Sequence, residues 1–224
     1  MKERLALGLL AIAGFIGTLF AAPVLATVAE SFLIIEQAEV SSNGELEARL
    51  ITEGLLIPTD GTGGAFGYGI LTEDGDDAIL VAHTHPEVMD SEDQRFIEDP
   101  IWHNHFVKLG DDVEQCGEDQ GVVDITWQSP GEVEINDNTA RISGVPTDEF
   151  EGWDSITGEE LSMTLRQDVS NVVSFKLDPV FDEDGLQAVC VTDITPAEDV
   201  DVNSAEDMDV NSAEDMDVNS ISRP

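Results

Sequence analysis

Apolar and polar residues alternate along most of this chain in short runs broken by turn residues, a pattern that predicts strands. The runs span Glu47–Leu56, Ala65–Leu71, Asp77–His85, Ile101–Leu109, Val122–Gln128, Glu132–Asn136, Ala140–Val145, Asn171–Val180 and Leu186–Ile194. Between them stand Asp60-Gly61-Thr62-Gly63-Gly64, Glu73-Asp74-Gly75-Asp76, Ser129-Pro130-Gly131 and Asp182-Glu183-Asp184-Gly185, whose glycines, prolines and short acids favour turns. Helical periodicity is confined to Ala29–Glu39, which fits either a helix or a first strand. The expectation is an all-β antiparallel domain, sandwich or barrel-like, over residues 27–196.

Both ends depart from this pattern. Met1-Lys2-Glu3-Arg4 precedes an almost unbroken apolar run from Leu5 to Phe20, and Val24-x-Ala26 then offers small residues for cleavage. That order is a secretory signal over residues 1–26, with an uncleaved N-terminal anchor as the alternative. No later apolar run is long enough to span a bilayer. At the other end, Glu198 opens an eight-residue repeat whose copies begin again at Glu206 and Glu214. One or no large apolar residue per copy cannot build a core, so residues 197–224 are expected to be a disordered acidic tail. Its Asp-x-Asp-x-Asn matches the opening of a calcium loop but lacks the sixth-position Gly and the closing Glu.

Charge narrows the function. The 224 residues hold 48 acidic and 9 basic side chains, a formal net charge of −39. Such a chain repels phosphate backbones and anionic lipid, which excludes nucleic-acid partners and electrostatic membrane attachment. Beyond the signal segment no membrane role is expected, and a protein partner at the cell surface stays open. Only Lys108 and Lys176 follow Lys2, a composition suited to salt high enough to screen self-repulsion. Hydrophobic residues still make up 41% of the chain, enough for a folded body.

An exported body changes the reading of the two cysteines. Outside the cytoplasm Cys116 and Cys190 are expected to form one disulfide, with thiolate metal ligation as the alternative.

The chain holds four histidines, and they form two His-x-His pairs: His83 with His85, and His103 with His105. Residues two apart in a strand point to the same face. Ile79, Val81, His83 and His85 would share one face, and Ile101, His103, His105, Val107 and Leu109 another. If the two strands are neighbours, cross-strand Cβ atoms ~5 Å apart bring four imidazoles to one spot. Imidazoles suit copper or zinc and not calcium or magnesium. Three ligands plus water would make a catalytic zinc site, four a closed one. The alternatives are a hydrogen-bonded structural cluster and two pairs that share no site. Trp102 and Phe106 should point the opposite way, into the core.

The connection from Pro86 to Trp102 is long for a hairpin, as functional loops often are. It offers Glu87, Asp90 and Asp93, with Glu98 and Asp99, as partners for the histidines or as a base. No Ser/His/Asp or Cys/His arrangement is available, because every histidine belongs to a pair.

Ile79-Leu80-Val81-Ala82-His83-Thr84-His85-Pro86 resembles the His-x-His-Pro segment of JAMM-type zinc isopeptidases, in which both histidines bind zinc and a Ser and an Asp follow. Here Ser91 and Asp93 follow at a shorter spacing, so the resemblance implies ligand roles for His83 and His85 alone. His83-Thr84-His85, Asp90-Ser91-Glu92, the stretch from Asp99 to Val107, and Cys116-Gly117 look like uncharacterised secreted proteins of ammonia-oxidising archaea. That resemblance covers roughly residues 75–195. It implies export and the habitat of those organisms, and it favours copper, but it carries no activity.

The expected function is an exported acidic copper- or zinc-binding protein. The alternatives are a metal-dependent enzyme using the same histidines, hydrolase or oxidoreductase, and a metal-free structural module of the cell surface.

Overall fold

The computed structural model describes residues 30–56, 64–72, 78–183 and 185–204. The expected signal segment and most of the repeat tail lie outside the described residues. Thirteen strands are present among the described residues. In chain order they are β1 (Ile35–Ser42), β2 (Glu45–Thr52), β3 (Phe66–Thr72), β4 (Ile79–Thr84), β5 (His103–Gly110), β6 (Gln120–Ile125) and β7 (Glu132–Asn136). They continue as β8 (Thr139–Pro146), β9 (Glu149–Trp153), β10 (Glu160–Thr164), β11 (Val169–Asp182), β12 (Gly185–Pro196) and β13 (Val200–Ser204). The described regular structure is strand apart from two short 3-10 turns, Ser31–Leu33 and Glu114–Cys116. The all-β expectation holds.

Strands β11-β12-β6-β5-β4-β3 close into an antiparallel barrel. A second sheet, ordered β13-β1-β2-β8-β7, packs against it, and β9 with β10 forms a separate hairpin. Sheet strands β1 and β2 bury alternate residues, as a sheet with one dry face should. Barrel strands β3, β4 and β5 are buried on both faces and so lack that alternation. Their outward residues, Phe66, Tyr68, Leu80, Ala82 and Phe106, join Ala38, Leu46, Leu50 and Ile142 of the sheet in the main core. Trp102 lies in this core too, stacked on Tyr68 with ring centroids 5.7 Å apart and planes 2° from parallel. The inward residues, among them Val81, Val107, Ile125, Val173, Phe175, Leu177 and Val191, form a second apolar cluster inside the barrel.

Gly67 is required where the barrel wall is tightest. A Cβ there would lie 2.6 Å from the carbonyl oxygen of Ala82 and 2.6 Å from Cβ of His83. Cys116 and Cys190 are joined in a disulfide, with Cα atoms 5.4 Å apart, so thiolate ligation is not used. The bridge closes a 74-residue separation and ties the Glu114–Cys116 turn to β12, a constraint worth about 4 kcal/mol in the chain-entropy picture.

The sequence reading did not mark the β9–β10 hairpin, and two further segments differ from it. Ala29–Glu39 divides into the Ser31–Leu33 turn and the start of β1. Val200–Ser204, which the repeat assigned to the tail, forms β13, paired in parallel with β1 from Ala38↔Val200 to Ser42↔Ser204. Its Val-x-Val spacing allows the first copy to cover an otherwise open sheet edge.

Candidate metal centre

The two His-x-His pairs sit on neighbouring strands. β4 and β5 pair antiparallel with His83 opposite His103 and Val81 opposite His105. All four histidines are 3% exposed or less. The His83 and His103 rings are 4.5 Å apart, His83 and His85 4.8 Å, and His103 and His105 4.9 Å. The reading in which the pairs share no site is therefore excluded.

The sequence could not show what lies between the rings. Asp90, on the loop joining β4 to β5, places its carboxylate at the centre of the four imidazoles. Its Oδ2 is 3.1 Å from Nε2 of His85 and 3.9 Å from Nε2 of His83. Its Oδ1 is 3.2 Å from Nε2 of His103 and 3.7 Å from Nε2 of His105. The side chain is 13% exposed.

A shell of hydrogen bonds holds Asp90 in place. Gln94, 4% exposed, accepts from the amides of Asp90 and Ser91 through Oε1 and donates through Nε2 to the carbonyls of Val88 and Asp99. Ser155, in the turn between β9 and β10, donates its hydroxyl to the Asp90 carbonyl. That turn is itself set by Asp154, whose Oδ1 accepts from the amides of Ile156 and Thr157. Glu87 turns the chain at the start of the loop with a φ of 70°, a conformation costing on the order of 1 kcal/mol outside glycine.

Of the five loop carboxylates offered by the sequence, only Asp90 is brought in, and Glu98 is exposed. Glu87 and Asp93 are exposed on the outer side of the loop, where the Asp93 amide donates to Oγ of Ser91. Asp99 is buried and accepts from the Arg95 amide instead. Ser91 is within hydrogen-bond reach of Ser129, at 3.0 Å. Gln94, Thr126 and Ser155 had no sequence signal, because their roles depend on which loops meet.

The ring tautomers follow from the outer contacts. Nδ1 of His103 is 2.9 Å from the Ile101 carbonyl, and Nδ1 of His105 meets the Thr126 carbonyl. A carbonyl only accepts, so both Nδ1 atoms carry the proton. In the neutral ring each Nε2 then presents a lone pair towards the Asp90 carboxylate. Two acceptors face one another unless a proton or a cation lies between.

Protonation is disfavoured at His83 and His103. Burial, reinforced by the charge of the neighbouring imidazoles, pushes His83 well below its ordinary value, and burial likewise lowers His103. Burial alone would raise Asp90, but the imidazoles around it, His105 foremost, outweigh burial and hold its carboxyl well below the usual range. Burial thus works against the charged form of His83 and His103, while Asp90 is held as a carboxylate. Both nitrogens of His83, Nδ1 of His85 and Nε2 of His105 are buried without a hydrogen-bond partner. Buried polar atoms left unpaired cost about 1–3 kcal/mol each.

A metal ion answers both problems. One donor atom from each of His83, His85, His103 and Asp90 can be chosen with all four within 4.8 Å of one another. Ligands at ~2.1 Å from one ion are at most ~4.2 Å apart, so shifts of about half an ångström close the site. His105 lies outside this set of four, with its Nε2 3.7 Å from Oδ1 of Asp90. No family model, curated protein or solved structure matches this chain, so the chemistry of the site alone carries the argument.

Proposed function

We propose that this protein is an exported, acidic transition-metal protein whose ion, copper or zinc, is held by His83, His85, His103 and Asp90, with His105 as a further ligand. The carrying observation is the pair of fixed Nε2 lone pairs, from His103 and His105, aimed at a buried carboxylate beside a His83 ring that has no partner of its own. An imidazole-rich set favours a borderline-soft ion over calcium or magnesium. The carboxylate takes the donor count beyond the four of a closed structural zinc site. Export is supported by the Cys116–Cys190 disulfide, which persists in oxidising compartments, and by the apolar N-terminal run. Among the described residues, no helix is long and apolar enough to cross a membrane.

A metal-dependent enzyme is the second reading, favoured by one observation: an apolar cavity opens directly onto His83, His85 and Asp90. In it the ion would act as a Lewis acid and Asp90 would be a ligand, not a free base.

The test is metal content, measured by mass spectrometry on protein purified without a His tag, beside the His83→Ala/His103→Ala variant. About one copper or zinc per chain, lost in the variant, is expected. A metal-free protein whose thermal unfolding ignores added copper and zinc would sink the proposal and leave a structural imidazole cluster.

A further inference from the structure

The barrel interior is not filled. A cavity of about 470 Å³, within the size range of small-molecule sites, runs along its axis. Its walls are Val81, Val107, Ile125, Val173, Phe175 and Val191, all less than 9% exposed. Gly69 leaves the wall low where a side chain on β3 would otherwise project, since a Cβ there would already touch Val173 at 3.3 Å.

The two ends differ. At one end the lining groups are His83, His85 and Asp90, with the half-buried Pro86 and Val88 of the loop that joins β4 to β5. At the other, Ile79, Leu71 and Leu109 are half-buried and Ile194 is 49% exposed, with Lys108 and Gln120 at the edge. His83, His85 and Asp90 thus border an otherwise largely apolar cavity. His103 and His105 do not border the cavity, so the side of the ion turned towards it is the side of His83, His85 and Asp90.

We propose that the barrel binds a small molecule with an apolar body and a monoanionic oxygen head, such as a medium-chain carboxylate, whose head ligates the ion and whose body fills the cavity. This rests on the metal reading above. The apolar wall selects the body, because burying each CH₂ against Val81, Val107, Ile125, Val173, Phe175 and Val191 is favourable. Charge selects the head. A divalent ion with the Asp90 carboxylate and neutral imidazoles leaves one net positive charge in a buried site, and a monoanion cancels it. The strongly acidic surface slows arrival of an anion at low ionic strength, an effect that salt removes.

The experiment uses the full chain loaded with cobalt(II), whose visible spectrum reports its ligands, in 0.5 M salt as a condition of choice. Octanoate and acetate are titrated by calorimetry into the cobalt-loaded protein, the metal-free protein, and cobalt-loaded Val191→Phe and Ile125→Phe, two separate cavity-filling variants. Octanoate is expected to bind at least ~100-fold more tightly than acetate. It should also change the cobalt spectrum and bind at least ~10-fold more weakly to the metal-free protein. Whichever filled variant keeps the cobalt spectrum should lose octanoate affinity by ~10-fold or more. Cobalt that binds while octanoate does no better than acetate overturns the proposal and leaves the metal reading standing. Octanoate bound equally well with and without cobalt overturns the placement of the head. A chain that takes up no cobalt overturns both, and that result appears before any carboxylate is added.

Discussion

Replacing Asp90 with Asn keeps the shape of the side chain and reverses its meaning to the rings around it. The carboxylate lies 3.2 Å from Nε2 of His103 and 3.7 Å from Nε2 of His105, so without an ion acceptors would face acceptors. An amide presents N–H donors to those same atoms. Each neutral hydrogen bond gained contributes about 1 kcal/mol, and removing a buried charge among unprotonated rings adds to it. Metal-free Asp90→Asn should therefore be about 2 kcal/mol more stable than the parent, raising the melting temperature by about 4–8 °C for a domain of this size. With metal the order reverses. Losing the charged ligand should weaken binding at least ~100-fold, which removes about 2.7 kcal/mol of metal-linked stabilisation under saturating conditions. Near-UV circular dichroism melts of both proteins, in chelator and then with excess zinc, measure all four corners of this square. A variant that is destabilised in chelator, and stabilised by zinc as much as the parent, would refute the reasoning. It would show that Asp90 accepts protons from charged histidines and serves only to hold them.

Two further outcomes follow from the same geometry. Because burial lowers His83 and His103 in the folded state, the unfolded chain takes up protons that the folded one refuses once pH drops below the ordinary value of 6.5. Stability of the metal-free protein should fall by about 2 kcal/mol between pH 6.5 and 5.5, and urea midpoints for His83→Ala/His103→Ala should lack that slope. Gln94→Ala removes the side chain that bonds the amides of Asp90 and Ser91 and the carbonyls of Val88 and Asp99. It should cost about 2–3 kcal/mol in denaturation and weaken metal binding ~10- to 100-fold in a competition titration, whereas unchanged affinity would mean the loop holds Asp90 without it.

The Cys116–Cys190 bridge was legible in the chain, because its two cysteines allow one pairing. Most strands were too, since turn residues mark their ends: Glu132–Asn136 is strand β7 to the residue. The β9–β10 hairpin was not, because Glu149–Trp153 and Glu160–Thr164 are short and, Met163 apart, alternate exposed with half-buried residues. Strand β13 was hidden for a different reason. An acidic repeat has no core of its own, and its Val200 and Val202 gain order only from the open edge of β1.

The sequence by itself determined that each His-x-His pair would present both rings on one face, because the period of a strand is two and local backbone geometry enforces it. It also determined that the body would be β and strongly acidic. Only the tertiary structure decided which face that was. Barrel closure turned Ile79, Val81, His83 and His85 inwards, onto a cavity, and Leu80 and Ala82 outwards, onto the sheet. It alone picked Asp90 out of 48 acidic residues, since a loop has no period from which direction can be read. Where that carboxylate points is fixed by Gln94 and Ser155, contacts made only when the loop, the barrel rim and the β9–β10 turn come together.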